Sequence, residues 1–396
     1  MATFSVDFLG CKVSHTDAQA VRERLLSDGH EETAGQADAA VLNTCCVTRE
    51  AVRKSRQAVA RAARSHSIVY VTGCAANLPG KPLAGLADNV VVVSERSEQT
   101  PNSVAGSLGA LGCVRAETGL ERVRAFVKIQ DGCSFSCNFC VVPLVRGRSR
   151  SRSARAVLEE IRRRVAQGHL EVVLTGINLG CFRDSELRYS LPRLLRAAGD
   201  VPGLERLRLS SIESNHLSDD LVAAMRETPC VSRHLHVPLQ SGDDGVLRAM
   251  GRRYSVAAYL GRIERAAGFN VTSDVIVGFP GEDERAFAST LRTVELAGIT
   301  KVHVFPYSPR PGTGTATLDP VPAAVKKERS ARLRAASRGA CLRHWRAKLG
   351  AEDVVLIDRP GRGYGDDYSP WLVQGEVGEL RRVRALAATE EGILAA

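Results

Sequence analysis

A rhythm of short apolar runs, each ending in glycine or polar residues, constrains this chain more than any other feature. In its central part the runs fall at residues 126–129, 172–174, 207–209, 235–239, 275–277 and 302–305, with helical patterns between them. Their starts are roughly one βα unit apart, which predicts six parallel strands curled into a barrel or partial barrel. In such folds chemistry collects at the carboxyl ends of the strands. The residues following the runs here are unusual: the cysteines of 133–140, Thr175-Gly176-Ile177-Asn178, Ser210-Ser211-Ile212-Glu213, Gln240-Ser241-Gly242, Gly278-Phe279-Pro280-Gly281-Glu282 and Tyr307-Ser308. Any one of these is adequately explained as a turn. Six in succession on one face argue for a site.

The first ~115 residues alternate in the same way. Strands are expected at 3–9, 39–43, 68–72 and 90–93, with helices at 17–28 and 50–65. That alternation predicts an open, mostly parallel sheet. Cys11, Cys45 and Cys74 each fall directly after one of these strands. Residues 100–111, rich in Gly, Ser and Asn, read as a loop or linker. Residues 323–349 read as a helix crowded with Lys326, Lys327, Arg329, Arg332, Arg334, Arg338, Arg343, Arg346 and Lys348, for which a solvated face is the plain explanation. After Gly350, strands at 354–357 and 371–373 flank a Gly-rich turn running through Asp367, a short all-β appendage. The expected fold is therefore α/β in three parts: an open parallel-sheet domain over 1–115, a partial (β/α)6 barrel over 119–349, and a small β-barrel-like module over 350–396.

Composition excludes some classes. Hydrophobic residues make up 44% and charged residues 25%, which rules out disorder as a description of the whole chain. No apolar run reaches ~18 residues, so no membrane-spanning helix is expected. Met-Ala-Thr-Phe-Ser-Val-Asp offers no basic stretch before an apolar core, so a cytoplasmic protein is expected. Fifty-four Lys and Arg against 44 Asp and Glu, a net charge of +10, suit a polyanionic partner without requiring one. Eleven cysteines, an odd number without an export signal, point to metal or catalytic use rather than disulfides. Cys46, Cys113, Cys181, Cys230 and Cys341 are scattered and read as small buried hydrophobes.

Cys133, Cys137 and Cys140 are spaced C-x3-C-x2-C. Thiolates are soft ligands for zinc or iron–sulfur clusters. Structural zinc would want a fourth ligand, and the nearest Cys or His are Cys113 and His169. Three ligands without a fourth fit a cluster with one iron left open. This spacing, placed after the first strand of a βα series, resembles the radical S-adenosylmethionine (SAM) superfamily. The resemblance implies that Cys133, Cys137 and Cys140 hold a 4Fe-4S cluster whose free iron chelates SAM, and that one electron cleaves SAM to a 5′-deoxyadenosyl radical. It also implies that Phe139 packs near the adenine.

Nearly the whole chain further resembles the methylthiotransferase family, through Leu9-Gly10-Cys11-Lys12-Val13, Asn43-Thr44-Cys45-Cys46-Val47-Thr48 and Thr72-Gly73-Cys74-Ala75. This implies a second 4Fe-4S cluster on Cys11, Cys45 and Cys74, which would present a methylated sulfur to a carbon radical at C2 of an adenine. Three positions depart from the family pattern: Cys46, Ser14 and Ser214. Cys46 could be a spare thiol or an alternative ligand. The segments 126–133, 142–151, 174–180, 252–254 and 303–313 look most like the branch that modifies threonylcarbamoyladenosine beside the tRNA anticodon. The other branches act on isopentenyladenosine in tRNA or on a ribosomal-protein aspartate. By the same resemblance Thr175 and Gly176 contact the methionine end of SAM, Ser211 and Glu213 the ribose, and Gln240 and Gly278 the adenine side.

Arg146, Arg148, Arg150, Arg152 and Arg155 suit an RNA backbone, here the tRNA anticodon loop; a solvated basic loop is the plain alternative. Residues 353–373 are similar to the TRAM-type RNA-binding module of these enzymes. The implied partners are tRNA and a reducing electron donor such as flavodoxin or ferredoxin, with no membrane and a monomeric state. A zinc-stabilised RNA-binding protein is the non-enzymatic alternative.

Overall fold

The computed structural model describes residues 2–94, 99–108 and 123–396. The chain divides into two compact units. One comprises Met1–Gly119, Asp131–Arg150 and Ser308–Thr317; the other comprises Leu120–Gln130, Ser151–Tyr307 and Leu318–Ala396.

The first unit is built on five strands in the order Glu31–Glu32, Thr3–Phe8, Ala39–Thr44, Ile68–Gly73 and Val90–Val92, every neighbouring pair parallel. Successive side chains of a strand point to opposite faces. Ala39 and Val41 pack with Val21, Leu25, Val104 and Ala105, whereas Ala40 and Leu42 pack with Val59 and Ala62. Helices Lys12–Ser27 and Thr100–Leu108 thus cover one face and Arg49–Ala62 the other. The central strand is buried on both faces, which is why it reads as an unbroken apolar run.

Thr100–Leu108 is a helix where the sequence suggested a loop. Asn102, Gly106 and Ser107 face outward, and the buried residues are Thr100 and the narrow apolar stripe of Val104 and Ala105. A composition average over the segment conceals that stripe. Residues 109–111, Cys113 and the boundary expected near 115–119 lie outside the described residues.

In the second unit, strands Arg124–Asp131, Glu171–Gly176 and Arg206–Leu209 pair in parallel, as do His234–His236, Asn270–Val277 and Lys301–Pro306. A parallel bridge from Leu207 to Val231 links the two halves. This is the six-stranded partial barrel expected from the run spacing. Val127, Val172, Leu207, Leu235, Val275 and Val302 belong to one continuous core. The basic helix Ala323–Arg346 is not solvated all round: Lys326 and Arg329 are buried. Arg329 Nη1 lies 2.7 Å from Glu282 Oε1, and Lys326 pairs with Asp319 and donates to the Tyr307 carbonyl at 3.2 Å.

The C-terminal segment forms a closed five-stranded barrel in the order Glu352–Arg359, Arg362–Tyr364, Pro370–Leu372, Ile393–Ala395 and Leu380–Ala388. Arg362–Tyr364 is a strand inside the stretch that read as a turn. The closing strand Leu380–Ala388 carries Arg381, Arg382 and Arg384 outside, with Val383 and Ala385 buried, so its inward face is small and its apolar signal weak. At the amino ends of the large barrel's strands sits a buried ionic set. Glu171 accepts from Arg208 Nε at 3.0 Å, and Arg206 lies 3.4 Å away. The two guanidiniums also donate to the carbonyls of Val354, Tyr364, Gly365 and Asp366 in the small barrel.

Asp367 is a second anchor, 2.8 Å from both His344 Nε2 and Lys348 Nζ. Burial alone would raise its pKa, but His344 and Lys348 hold it well below the usual carboxylate range. A carboxyl depressed in the folded state stabilises above its unfolded pKa, ~3.9, and loses that contribution as pH falls toward the folded value. Asp367→Asn should therefore destabilise the chain by about 2–3 kcal/mol at pH 7, read as a lower denaturation midpoint. The deficit relative to wild type should narrow below about pH 4.

Candidate active site

The thiols after the N-terminal strands are drawn together by close backbone contacts. Cys11 is the N-cap of Lys12–Ser27, a helix that begins earlier than the periodicity suggested. Gly10, at φ +129°, precedes it, and a Cβ there would lie 3.3 Å from Cys45 Sγ. Cys74 N–H donates to the Thr44 carbonyl at 2.9 Å, which ties the ends of two neighbouring strands. Ser55 Oγ accepts from Cys45 N–H at 3.2 Å and donates to the Cys45 carbonyl at 3.0 Å. Cys45 and Cys74 are buried while Cys11 is exposed.

Burial pushes the Cys45 thiol up to about 11, and the neighbouring Cys74 and Cys11 sulfurs add to it. Cys74 is lowered to about 6 by a hydrogen bond from the Cys46 thiol and by Arg146, against the effect of burial. Cys46 itself is fully buried, and its carbonyl accepts from Arg310 Nη1 at 3.4 Å.

Cys133, Cys137 and Cys140, all half-buried, lie on a segment that belongs to the same unit. Cys133 N–H donates to the Gly147 carbonyl at 3.0 Å, Cys140 N–H to the Cys137 carbonyl at 3.0 Å, and Phe135 N–H approaches Cys133 Sγ at 3.4 Å. Phe139 sits in the turn between the last two cysteines. Asn138 offers its carbonyl to Thr315, whose N–H and Oγ1 lie 3.1 and 3.0 Å away.

Arg146 departs from its expected role. Its place in the arginine run suggests an RNA-facing side chain, but it is buried. Its Nη1 lies 3.1 Å from both Asp131 carboxylate oxygens, its Nη2 2.8 Å from Asp17 Oδ2, and its Nε 3.1 Å from Cys74 Sγ. It ends the short helix Val142–Arg146, and Gly147, at φ +73°, then redirects the chain so that Arg148 is exposed. Arg150 donates to the carbonyls of Arg146 and Arg148, and Arg152 to Glu160 and the Lys128 carbonyl. Asp17, Asp131 and Arg310 were missed in the sequence because nothing local marks them as partners of the cysteine loops.

Apart from Phe139, which lies in the first unit, the residues expected at SAM belong to the second unit. Thr175 is buried at the end of Glu171–Gly176. A Cβ on Gly176 would press on Gln130, whose Oε1 accepts from Asn178 N–H at 2.7 Å. Ser211 and Glu213 follow Arg206–Leu209, and Glu213 is paired with Arg252. Gln240 holds φ +65° and bridges to the neighbouring strand. Gly278 N–H donates to Glu282 Oε1 at 2.7 Å, and a side chain there would overlap Lys326. All sit at carboxyl ends of barrel strands, as the sequence placed them.

Each donor set offers three thiols, which suits an iron–sulfur cluster with one iron left open. Among the described residues no three His, Cys, Asp or Glu groups converge on a single metal ion. A cubane does not require that convergence, since each thiolate takes a different iron. Gly132, at φ +69°, is decisive for the second loop: a Cβ there would meet the Arg148 and Gly147 carbonyl oxygens at 2.2 and 2.7 Å. Gly132→Ala should strain the loop by about 1–3 kcal/mol and lower the iron retained after anaerobic reconstitution to the level of Cys137→Ala. Full iron retention would remove this loop as the ligand segment.

Comparison with known proteins agrees with this geometry. A family profile described as the radical SAM superfamily matches residues 127–294, and one described as uncharacterized protein family UPF0004 matches residues 3–94. The threonylcarbamoyladenosine tRNA methylthiotransferase MtaB of Bacillus subtilis is 36% identical over 99% of this chain and 87% of its own length. Its Thermotoga maritima namesake is 31% identical over 100% and 96%. A tRNA-2-methylthio-N(6)-dimethylallyladenosine synthase of Sorangium cellulosum is 35% identical over 92% and 84%. Among solved structures, the radical SAM methyltransferase TsrM of Kitasatospora setae shares the fold, with a TM-score of 0.59 at 14% identity over 79% of this chain and 76% of that one. With such similarity along its whole length, the chain belongs to the radical SAM tRNA methylthiotransferases.

Proposed function

We propose that this enzyme adds a methylthio group to C2 of N6-threonylcarbamoyladenosine beside the anticodon of tRNA. The observation that carries the proposal is the gathering of both three-cysteine sets in one compact unit. It is joined by full-length similarity to enzymes named for that nucleoside. Radical SAM enzymes use a 4Fe-4S cluster and SAM, and the residues that would hold that cluster are Cys133, Cys137 and Cys140. Cys11, Cys45 and Cys74 would hold a second. When bound, these groups supply the electron, the hydrogen abstraction at C2 and the methylthio sulfur.

The chain's own residues position the reactants. Phe139, Thr175, Gly176, Ser211, Glu213, Gln240 and Gly278 are assigned to SAM. A ribose bound at Glu213 would find that carboxylate already oriented by Arg252, itself 3.2 Å from the Tyr254 hydroxyl. The anticodon-loop backbone is assigned to Arg148, Arg150 and Arg152, without the buried Arg146. A low-potential donor such as flavodoxin or ferredoxin would supply electrons, to a monomer acting in the cytoplasm. No helix of the described residues is long and apolar enough to cross a membrane.

The dimethylallyladenosine branch is a second reading, favoured by the 35% identity of the Sorangium enzyme. Mass spectrometry of tRNA nucleosides decides between them, in a strain lacking its own enzyme, with and without this gene. Appearance of 2-methylthio-threonylcarbamoyladenosine is expected; the methylthio-isopentenyl nucleoside would move the branch, and no new nucleoside would defeat both. Cys137→Ala should abolish SAM cleavage. Cys45→Ala should leave cleavage intact but stop methylthiolation, and product surviving that change would overturn the second cluster.

A further inference from the structure

Arg146 is not needed as a charge partner for Cys74 alone. Two carboxylates already overcompensate its single positive charge, yet the Nε–H is still directed at Cys74 Sγ at 3.1 Å. Each guanidinium nitrogen has a partner: Nη1 Asp131, Nη2 Asp17 and Nε the sulfur. A planar guanidinium held on two sides has a fixed third direction, a geometry that a flexible lysine cannot reproduce. The assembly is buried: Arg146, Asp17 and Asp131 are each less than a tenth exposed.

We propose that Arg146 is a positioning residue that sets the reduction potential of the cluster held by Cys11, Cys45 and Cys74, through its hydrogen bond to the Cys74 sulfur, with Asp17 and Asp131 fixing its direction. The proposal rests on the two-cluster reading above. Hydrogen bonds to cluster sulfurs and nearby charge are the protein's means of tuning such potentials. Reduction adds negative charge, so an N–H donor bearing positive charge favours the reduced form and raises the potential. Asp17 and Asp131 oppose it, and their burial strengthens both effects. The same guanidinium holds Asp131, whose carboxylate also accepts from Gly132 N–H at 2.7 Å, immediately before Cys133. A change of charge at Cys74 is therefore felt at the base of the other cysteine loop.

The test uses the full-length protein with Cys133, Cys137 and Cys140 changed to Ala, reconstituted without air, so that any remaining cluster is the second one. Its potential is read by an EPR-monitored redox titration, with iron and sulfide content measured alongside. Arg146→Gln should shift the reduction equilibrium about tenfold toward the oxidised form, about 59 mV lower for a one-electron couple. Arg146→Lys, which keeps the charge without the fork, should fall between that and the parent. Asp17→Asn should move the potential the opposite way. A merely structural role would lower cluster content in all three variants without this opposed pair of shifts. If Arg146→Gln fails to load, the upward shift in Asp17→Asn decides the matter. Loaded variants with an unchanged potential would overturn the proposal alone. A triple-alanine parent that binds no iron would overturn the two-cluster reading and the proposal with it.

Discussion

The first unit depends on one buried guanidinium. Arg146 meets Asp17 from the first helix, Asp131 from the end of a strand and Cys74 from a strand-end loop, residues far apart in the sequence. Such an ionic set adds little net stability relative to a well-packed apolar core. Removing one member is different, because it leaves a charge stranded and costs about 3–5 kcal/mol. What the set contributes is specificity: the two carboxylates and the sulfur accept the guanidinium in one orientation. The thiol loops inherit that orientation.

Elsewhere the same economy recurs at the foot of the large barrel. Glu171 is fully buried, and burial alone would raise its pKa, but Arg208 and Arg206 keep it below its ordinary value. Those arginines spend their remaining donors on carbonyls of the small C-terminal barrel. With Arg124 bound to Asp358 at 2.8 Å, directed hydrogen bonds fasten the small barrel here, and Trp345 of the helix Ala323–Arg346 packs against its apolar core. Its placement at the amino ends of the strands leaves the carboxyl ends, where Thr175, Glu213, Gln240 and Gly278 lie, free of that module.

Much of this was legible in the sequence where a signal is local. Doubly buried strands such as Ala39–Thr44 leave continuous apolar runs, and the cysteines mark where those runs end. Signals spread over distance were not legible. Arg146, Arg148, Arg150 and Arg152 look equivalent in a row, yet Gly147 turns the first away from the rest, and the partner that fixes it, Asp17, lies 129 residues upstream. The helix Thr100–Leu108 was concealed by its polar outer face, and the strand Leu380–Ala388 by its arginines. In each case a narrow buried stripe outweighed the average character of the segment, and only tertiary packing reveals which residues form it.

The path of the chain has a consequence for how the molecule is made. The first unit borrows Asp131–Arg150 and Ser308–Thr317 from sequence that otherwise builds the second. Its sheet is complete by Val92, and Cys74 has emerged well before then. The cation that faces Cys74 and the segment that braces Asn138 leave the ribosome only later, the second of them after most of the large barrel has been translated. During synthesis the N-terminal thiols therefore wait as an unfinished nest. Neither unit is a separable cassette: a gene cut between them, or a ribosome stalled before Thr317, would release a sheet whose cysteines lack their final enclosure.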